Sequence, residues 1–299
     1  MTEQKTLSGR AWAELVVLSL IWGGSFLSIR VALDEIGVLT SVAHRCGWAM
    51  LILWGVVALR RLPLPRSAGL WGAFLVMGLL NNIIPFGLMA WGQLYIETGL
   101  TSIFNASTAI FGALVAALVF ADERLTRRKI IGVALGFAGV ITVLGIDSLR
   151  SFNITSLAQL AVIGGTLSYA FAGAWGRIHL AGLHPIVASA GMLTASTLIM
   201  VPAAWVFEGP IRMDLQAGTW LAIGYYAVIA TALAYVFYYR VLGMAGSANV
   251  MLCTLMIAPI AVVLGAVVRA EQLPWNAYAG FAILALGLLV LSGRLLRRL

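Results

Sequence analysis

Ten apolar stretches of about twenty residues, each ended by a short polar connector, leave this chain one kind of solvent. A helix needs about 20 predominantly apolar residues to cross the hydrocarbon core of a bilayer. The stretches run at roughly 11–33, 41–60, 68–91, 98–121, 128–146, 157–178, 185–207, 217–240, 246–269 and 274–294, counted against that length. The residues are 62% hydrophobic and 10% charged, with a mean hydropathy of +0.99. A soluble domain would be near half apolar and about a quarter charged. Too little polar surface remains to cover a globule in water, so the sequence predicts an all-α integral membrane protein whose surroundings are the lipid bilayer. The first stretch follows Lys5 and Arg10 and has the outline of a signal peptide, but nine more follow it with no soluble domain to export. It reads as a retained span.

The chain is also written twice. At an offset of about 148, Glu123 falls on Glu271, Leu125 on Leu273, and Gly132, Gly139 and Gly145 on Gly280, Gly287 and Gly293. The earlier parts match more weakly at an offset of about 147, which sets Trp22-Gly23-Gly24-Ser25-Phe26 on Tyr169-Ala170-Phe171-Ala172-Gly173 and Arg30 on Arg177. The expected units are residues 11–146 and 157–294, joined into one membrane domain.

Charge gives the direction. Of the 19 lysines and arginines, Arg30, Arg150, Arg212 and Arg269 would face outward, Arg45 falls within a span, and the remaining 14 would face the cytoplasm if both termini lie there. Short cytoplasmic loops carry the excess of Lys and Arg, so both termini are expected in the cytoplasm. Five spans per unit is odd, so the second unit enters the membrane upside down. That explains why the connector at Arg124–Lys129 is basic while its copy at Gln272–Asn276 has no cation and carries Trp275. Ten spans in two inverted five-helix repeats is the usual build of secondary transporters. The net charge of +8 is spread in small groups at helix ends, which fits membrane orientation and not nucleic acid. Cys46 and Cys253 lie inside apolar stretches with no metal-ligand spacing, and read as thiols packed among helices. No metal or cofactor is expected.

The Trp22-Gly-Gly-Ser-Phe sequence, the Glu123-Arg124-Leu125-Thr126 connector and the glycines after it resemble the EamA family of the drug/metabolite transporter superfamily. With the duplicated layout, the resemblance covers nearly the whole chain. It implies ten helices, an inverted repeat and export of small metabolites across a bacterial inner membrane. Within the superfamily the chain looks most like the exporters of aromatic amino acids. Gln272, Pro274 and Trp275 depart from the commoner family pattern, in a loop expected to face outward.

Candidate site residues follow from what lipid makes expensive. Asn81 and Asn82 occupy the middle of the third span, followed by Pro85 and Phe86. An amide in lipid is costly and a proline frees a carbonyl, so this face is expected against protein or a water-filled pathway. The fourth span offers Thr101, Asn105 and Thr108 on one helical face, and Asn249, Cys253 and Met256 hold the matching places in the second unit. Trp22, Ser25, Tyr169 and Tyr235 complete the expected cavity, with close helix packing as the alternative for each. Gly132, Gly136 and Gly139 read as a helix contact, and Pro85, Pro202 and Pro259 as bending points. Glu14 is the one candidate for proton coupling; its alternative is a residue reaching the cytoplasmic interface. His44 and Arg45 either line an outer vestibule or reach its rim.

Aromatic walls with amides and hydroxyls, and no buried charge, would suit a small amphipathic zwitterion or a neutral molecule. A strongly anionic substrate would need buried Arg or Lys. The expected function is therefore export of amino acids or related metabolites by alternating access, carried out by a monomer. A multidrug exporter for cationic compounds is the alternative on the same scaffold. A lipid-modifying enzyme would need clustered acids, bases and nucleophiles, and the three histidines are scattered.

Overall fold

In lipid every backbone polar group must find its partner within the protein, so apolar segments of this length fold as helices. The computed structural model describes residues 8–120, 126–150, 154–245 and 252–291, and among them there are helices and no strand. Helix α1 is Gly9–Ala32, opened by the Ser8 hydroxyl accepting from the Ala11 N–H at 3.2 Å. Next come α2 (Val38–Leu59), α3 (Ala68–Gly92) and α4 (Thr98–Val119). They are followed by α5 (Arg127–Arg150), α6 (Ile154–His179) and α7 (Pro185–Glu208). Helix α8 starts at Ala217 and ends at Ala245, α9 is Leu252–Arg269 and α10 is Trp275–Leu291. Seven of these are long and apolar enough to cross a membrane: α1 to α4, α6, α7, and Ala217–Tyr238 of α8. Met256–Arg269 and Trp275–Val290 are shorter apolar helices. The gap left between the two expected units, 147–156, narrows, because α5 continues to Arg150 and α6 begins at Ile154.

Small residues let helices approach closely where no hydrophobic force drives them together. At the α5–α10 contact a Cβ on Gly139 would stand 2.6 Å from the Leu284 nitrogen, and one on Gly280 would stand 2.6 Å from the Val143 nitrogen. Gly287 has the Gly136 nitrogen at 2.7 Å and the Gly132 oxygen at 2.8 Å from such a position. The backbones touch there, so none of these glycines accepts a side chain.

Two helices are widened to a π-helical winding, α3 at Leu79–Ile83 and α8 at Tyr225–Leu233. In α3 the cause is Pro85, whose ring lacks an N–H and crowds the carbonyl four residues back. Helix α8 has no proline; there the Thr231 hydroxyl donates to the Tyr226 carbonyl five residues back, at 2.7 Å. The widened turns leave carbonyls to be satisfied from other helices. Ser168 of α6 donates to the Leu80 carbonyl at 2.7 Å, and the Trp22 indole N–H of α1 donates to the Ala230 carbonyl at 3.1 Å.

The two ends of the bundle are fastened differently. At one end three carboxylates cap helices far from them in sequence. Glu208 accepts from the N–H groups of Leu39 and Thr40, both at 2.8 Å, at the start of α2. Glu271 accepts from Thr98 at 3.1 Å and Gly99 at 3.2 Å, at the start of α4. Glu35 takes the Gln216 N–H at 3.1 Å and the Thr219 hydroxyl at 2.5 Å, at the start of α8. Asp34 adds an ion pair to Arg269 of α9 at 2.5 Å, and this arginine holds its carboxyl below the usual carboxylate range. At the other end, Glu14 of α1 pairs with Arg240 of α8 and, at 3.3 Å, with Arg10.

Candidate functional site

The π-helical turn of α3 aims both of its asparagines into the bundle. Asn82 is fully buried and donates to the Ser196 hydroxyl of α7 at 2.9 Å. Asn81 is half-buried and donates to the Asn82 side-chain oxygen at 3.2 Å and to the Tyr235 hydroxyl of α8 at 3.3 Å. The Met192 sulfur lies 3.8 Å from the same nitrogen. A buried amide left without partners loses about 1–3 kcal/mol per group. Ser196 therefore fixes Asn82, while Asn81 and Tyr235 join α3 to α8.

Tyr235 also faces a cavity of about 200 Å³ between α2, α7 and α8, lined with Leu53, His184, Pro185, Ile186, Val236 and Arg240. The cavity lies toward the end of the bundle that carries Arg240, opposite the carboxylate caps. Phe86, Tyr169 and Tyr235 belong to one packed core together with Leu53, Leu193 and Ala232. Tyr169 also packs against a second core built from α4, α6 and α9, so its ring stands between the two.

Arg45 packs beside Phe86 of this group, and Arg240 lines the cavity itself, so the expectation of a cavity without charge is corrected. Its guanidinium carbon sits 3.8 Å from the centroid of the Phe86 ring, and its Nε donates to the Thr231 hydroxyl at 3.0 Å. Arg45 follows Val38 by two helical turns, about 10 Å into α2. A cation within a spanning helix costs about 2.5–3.5 kcal/mol on insertion scales. The aromatic face and the hydroxyl return part of that. Arg45 was recognisable in the sequence as the single Lys or Arg inside a span; what it faces was not.

The other expected residues separate into groups. Trp22 packs with Cys253 and Met256 in a core of α1, α8 and α9, its ring 5.9 Å from that of Tyr238. Cys253 is buried and accepts from the Ser19 hydroxyl at 3.3 Å. Ser25 turns its hydroxyl back to the Trp22 carbonyl at 2.7 Å, and Thr101 turns its own to the Glu97 carbonyl at 3.1 Å. The single face expected for Thr101, Asn105 and Thr108 is interrupted, because α-helical winding stops at Asn105 and resumes at Thr108. Ser107 in the gap meets the Thr166 hydroxyl of α6 at 3.2 Å, and the Thr108 hydroxyl is buried with no partner among the described residues. Asn105 is half-buried and Asn249 lies outside the described residues. Pro85 is buried behind the widened turn, whereas Pro202 and Pro259 lie on the exposed surface of α7 and α9. Residues that the sequence did not single out are Ser168, Ser196 and Thr231, whose hydroxyls each bond to α3, α7 or α8 groups at or beside the widened turns.

A helical membrane bundle with two locally widened helices, polar groups at the widened turns and a half-open cavity beside them has features of a carrier. The fold is shared with a solved crystal structure at 17% identity, with a TM-score of 0.70 over 97% of this chain and 99% of the other. The chain belongs to the EamA-like transporter family, whose model matches residues 9–145 and again residues 156–293. It is a multi-pass membrane transporter, not an enzyme. It is similar to a probable terminal-alkyne amino-acid exporter of Streptantibioticus cattleyicolor, 28% identical over 98% of this chain and 96% of that one. It is also similar to a probable amino-acid metabolite efflux pump of Salmonella typhimurium, 25% identical over 92% of each chain. An uncharacterised transporter of Bacillus subtilis, YoaV, is 18% identical over 92% of this chain and 94% of its own length.

Proposed function

We propose that this transporter exports amino acids or closely related metabolites, aromatic ones included, by alternating access. It does so as a monomer of ten spans arranged as two inverted repeats, 11–146 and 157–294, in a bacterial inner membrane with both termini in the cytoplasm. The substrate would pass the shared group of Asn81, Asn82, Phe86, Tyr169 and Tyr235, with Asn105 and Thr108 on α4 and Trp22, Cys253 and Met256 in the neighbouring core; Asn249, outside the described residues, is kept as a candidate. The observation that carries this reading is the bond between Asn81 and Tyr235, which ties α3 to α8 at the edge of the cavity. Each helix is widened near that level, and each widened turn is held by the first helix of the other proposed repeat. That reciprocity is what two interchangeable halves require. Carboxylate caps at one end and a cavity toward the other correspond to a state open to the cytoplasm.

The names of the relatives support amino-acid-like substrates. Arg45 beside Phe86 speaks against the cationic compounds of a multidrug exporter, since like charge in a low-dielectric cavity repels. The test is flux. Purified protein in liposomes should accelerate the exchange of phenylalanine or tryptophan over empty liposomes. Asn82→Leu should slow it at least about tenfold, as expected when a buried hydrogen-bonded amide is lost from the pathway. No acceleration with any member of a broad amino acid panel would reject the reading.

A further inference from the structure

Arg45 is the group within the bundle whose charge the fold leaves unanswered. Among the described residues no carboxylate lies within 4 Å of it; its contacts are the Thr231 hydroxyl and the Phe86 ring. The neighbours are arranged to orient the head and not to neutralise it. Thr231 belongs to the widened stretch of α8, and its hydroxyl donates to Tyr226 and receives the Arg45 Nε–H. Phe86 lies beneath one face of the guanidinium plane. With Nε engaged and one face stacked, the two Nη groups remain as a fork of parallel donors, the shape that matches a carboxylate. The side chain is partly exposed, and its head is held among α2, α3 and α8 by Thr231 and Phe86, both buried.

We infer that Arg45 is the specificity-determining residue that receives the carboxylate of the substrate. The fork binds both carboxylate oxygens, and the substrate replaces the missing counter-ion. Asn81 and Tyr235 on α3 and α8 are neutral donors and acceptors suited to the rest of the molecule. Substrates are then monocarboxylates, with or without an amino group; amines lacking the carboxylate are refused. Thr231 and Phe86 are positioning residues that hold the fork in its plane. This inference rests on the amino-acid export reading for its substrate and extends it by naming which end of the molecule is recognised and by what.

The experiment uses full-length protein in liposomes loaded with phenylalanine, with phenethylamine and 3-phenylpropionate as competitors of labelled phenylalanine exchange. In the wild type, 3-phenylpropionate should compete and phenethylamine should not. Arg45→Gln should raise the KM for phenylalanine at least about tenfold, the loss expected for a bidentate charge-assisted pair, and remove competition by 3-phenylpropionate. Arg45→Lys keeps the charge without the fork; it should retain the preference for the carboxylate at weakened affinity, and it stands in should Arg45→Gln fail to fold. Phe86→Leu should raise KM while leaving the preference for the carboxylate intact. A wild-type KM in Arg45→Gln, or phenethylamine competing as well as 3-phenylpropionate in the wild type, overturns the inference while amino-acid export stands. If the wild type exchanges no amino acid, the export reading fails and thermal stabilisation decides this one. A shift of the melting temperature by 3-phenylpropionate that is lost in Arg45→Gln upholds it, and no shift in the wild type overturns it.

Discussion

The two ends of this bundle are built on different chemistry. At one end Glu35, Glu208 and Glu271 each reach from the connector or last turn of one helix to the first turn of another. A carboxylate at a helix N-terminus satisfies free N–H groups and meets the positive end of the helix dipole. The offset of about 147 sets Gly182 opposite Glu35 and Arg61 opposite Glu208 at the other end. Neither can cap anything: Gly182 has no side chain, Arg61 has the wrong sign, and both sit in turns at positive φ, +88° and 51°. The brace across that end is the pair of Glu14 and Arg240, beside the cavity. Among the described residues, then, the carboxylate caps gather at one end, and Glu123, which the repeat sets opposite Glu271, lies outside the described residues. The alternating access proposed above would have to release these caps.

The clasp at Glu271 should be the strongest. Thr98 is fully buried and Gly99 is buried, so Glu271→Ala leaves two N–H groups with neither acceptor nor water. Each is expected to cost about 1–3 kcal/mol, visible as a marked fall in the detergent melting temperature, with Glu271→Gln recovering part of it. Glu208→Ala should cost less, about 1 kcal/mol, because of its two donors only Thr40 is buried, while Leu39 is reached by solvent. If the caps hold the closed end, a cysteine in place of the buried Thr40 should react faster with a membrane-impermeant thiol reagent in Glu208→Ala than in an otherwise unchanged chain. Equal rates would make the caps purely structural.

How much of this was legible in the sequence depended on whether the partner lay nearby. The widening of α3 was readable from Asn81, Asn82 and Pro85, because the proline acts on its own helix. The widening of α8 was not, since it depends on Thr231 and on an indole from α1. Gly132, Gly136 and Gly139 announced a close helix contact by their spacing, but not that α10 makes it. Glu35 and Glu208 looked like ordinary connector residues, because the N–H groups they accept from lie well over a hundred residues away. Arg45 was visible as a cation within a span, while Phe86 and Thr231 beside it could only be found by folding. Thr101 and Ser25 illustrate the opposite error: hydroxyls that look like site groups in sequence are satisfied by their own helix.

At the end beside the cavity, Glu14→Gln tests the brace to Arg240 and the idea of a coupling proton together. Glu14 is mostly buried while Arg240 is half-exposed, so the pair is expected to contribute no more than about 1 kcal/mol. With Arg10 and Arg240 both at hand, the carboxylate serves to hold α1 to α8. Glu14→Gln should therefore lower stability slightly and leave the response of flux to an imposed pH gradient unchanged. Loss of gradient-driven flux with exchange intact would make Glu14 the coupling group instead.

The smallest effect belongs to Asp34, and pH separates it from the caps. Its pKa is held below the ordinary 3.8, first by the hydrogen bond from Arg269, against a smaller opposing contribution from burial. A lowered folded-state pKa adds stability that is complete above the unfolded value and is lost as pH falls through the folded one. The contribution of the pair should therefore be constant at neutral pH and fade only below about 3.8. Both partners are partly exposed, at 29% for Arg269 and 45% for Asp34, so the expected size is within the ~0.2–1 kcal/mol of surface pairs. Asp34→Asn should lower the melting temperature slightly at pH 7, less at high salt, and the difference from the wild type should close once the pH lies well below the lowered folded pKa. A difference that persisted at that pH would mean that Asp34 holds α1 to α9 by its shape and its hydrogen bonds, not by its charge.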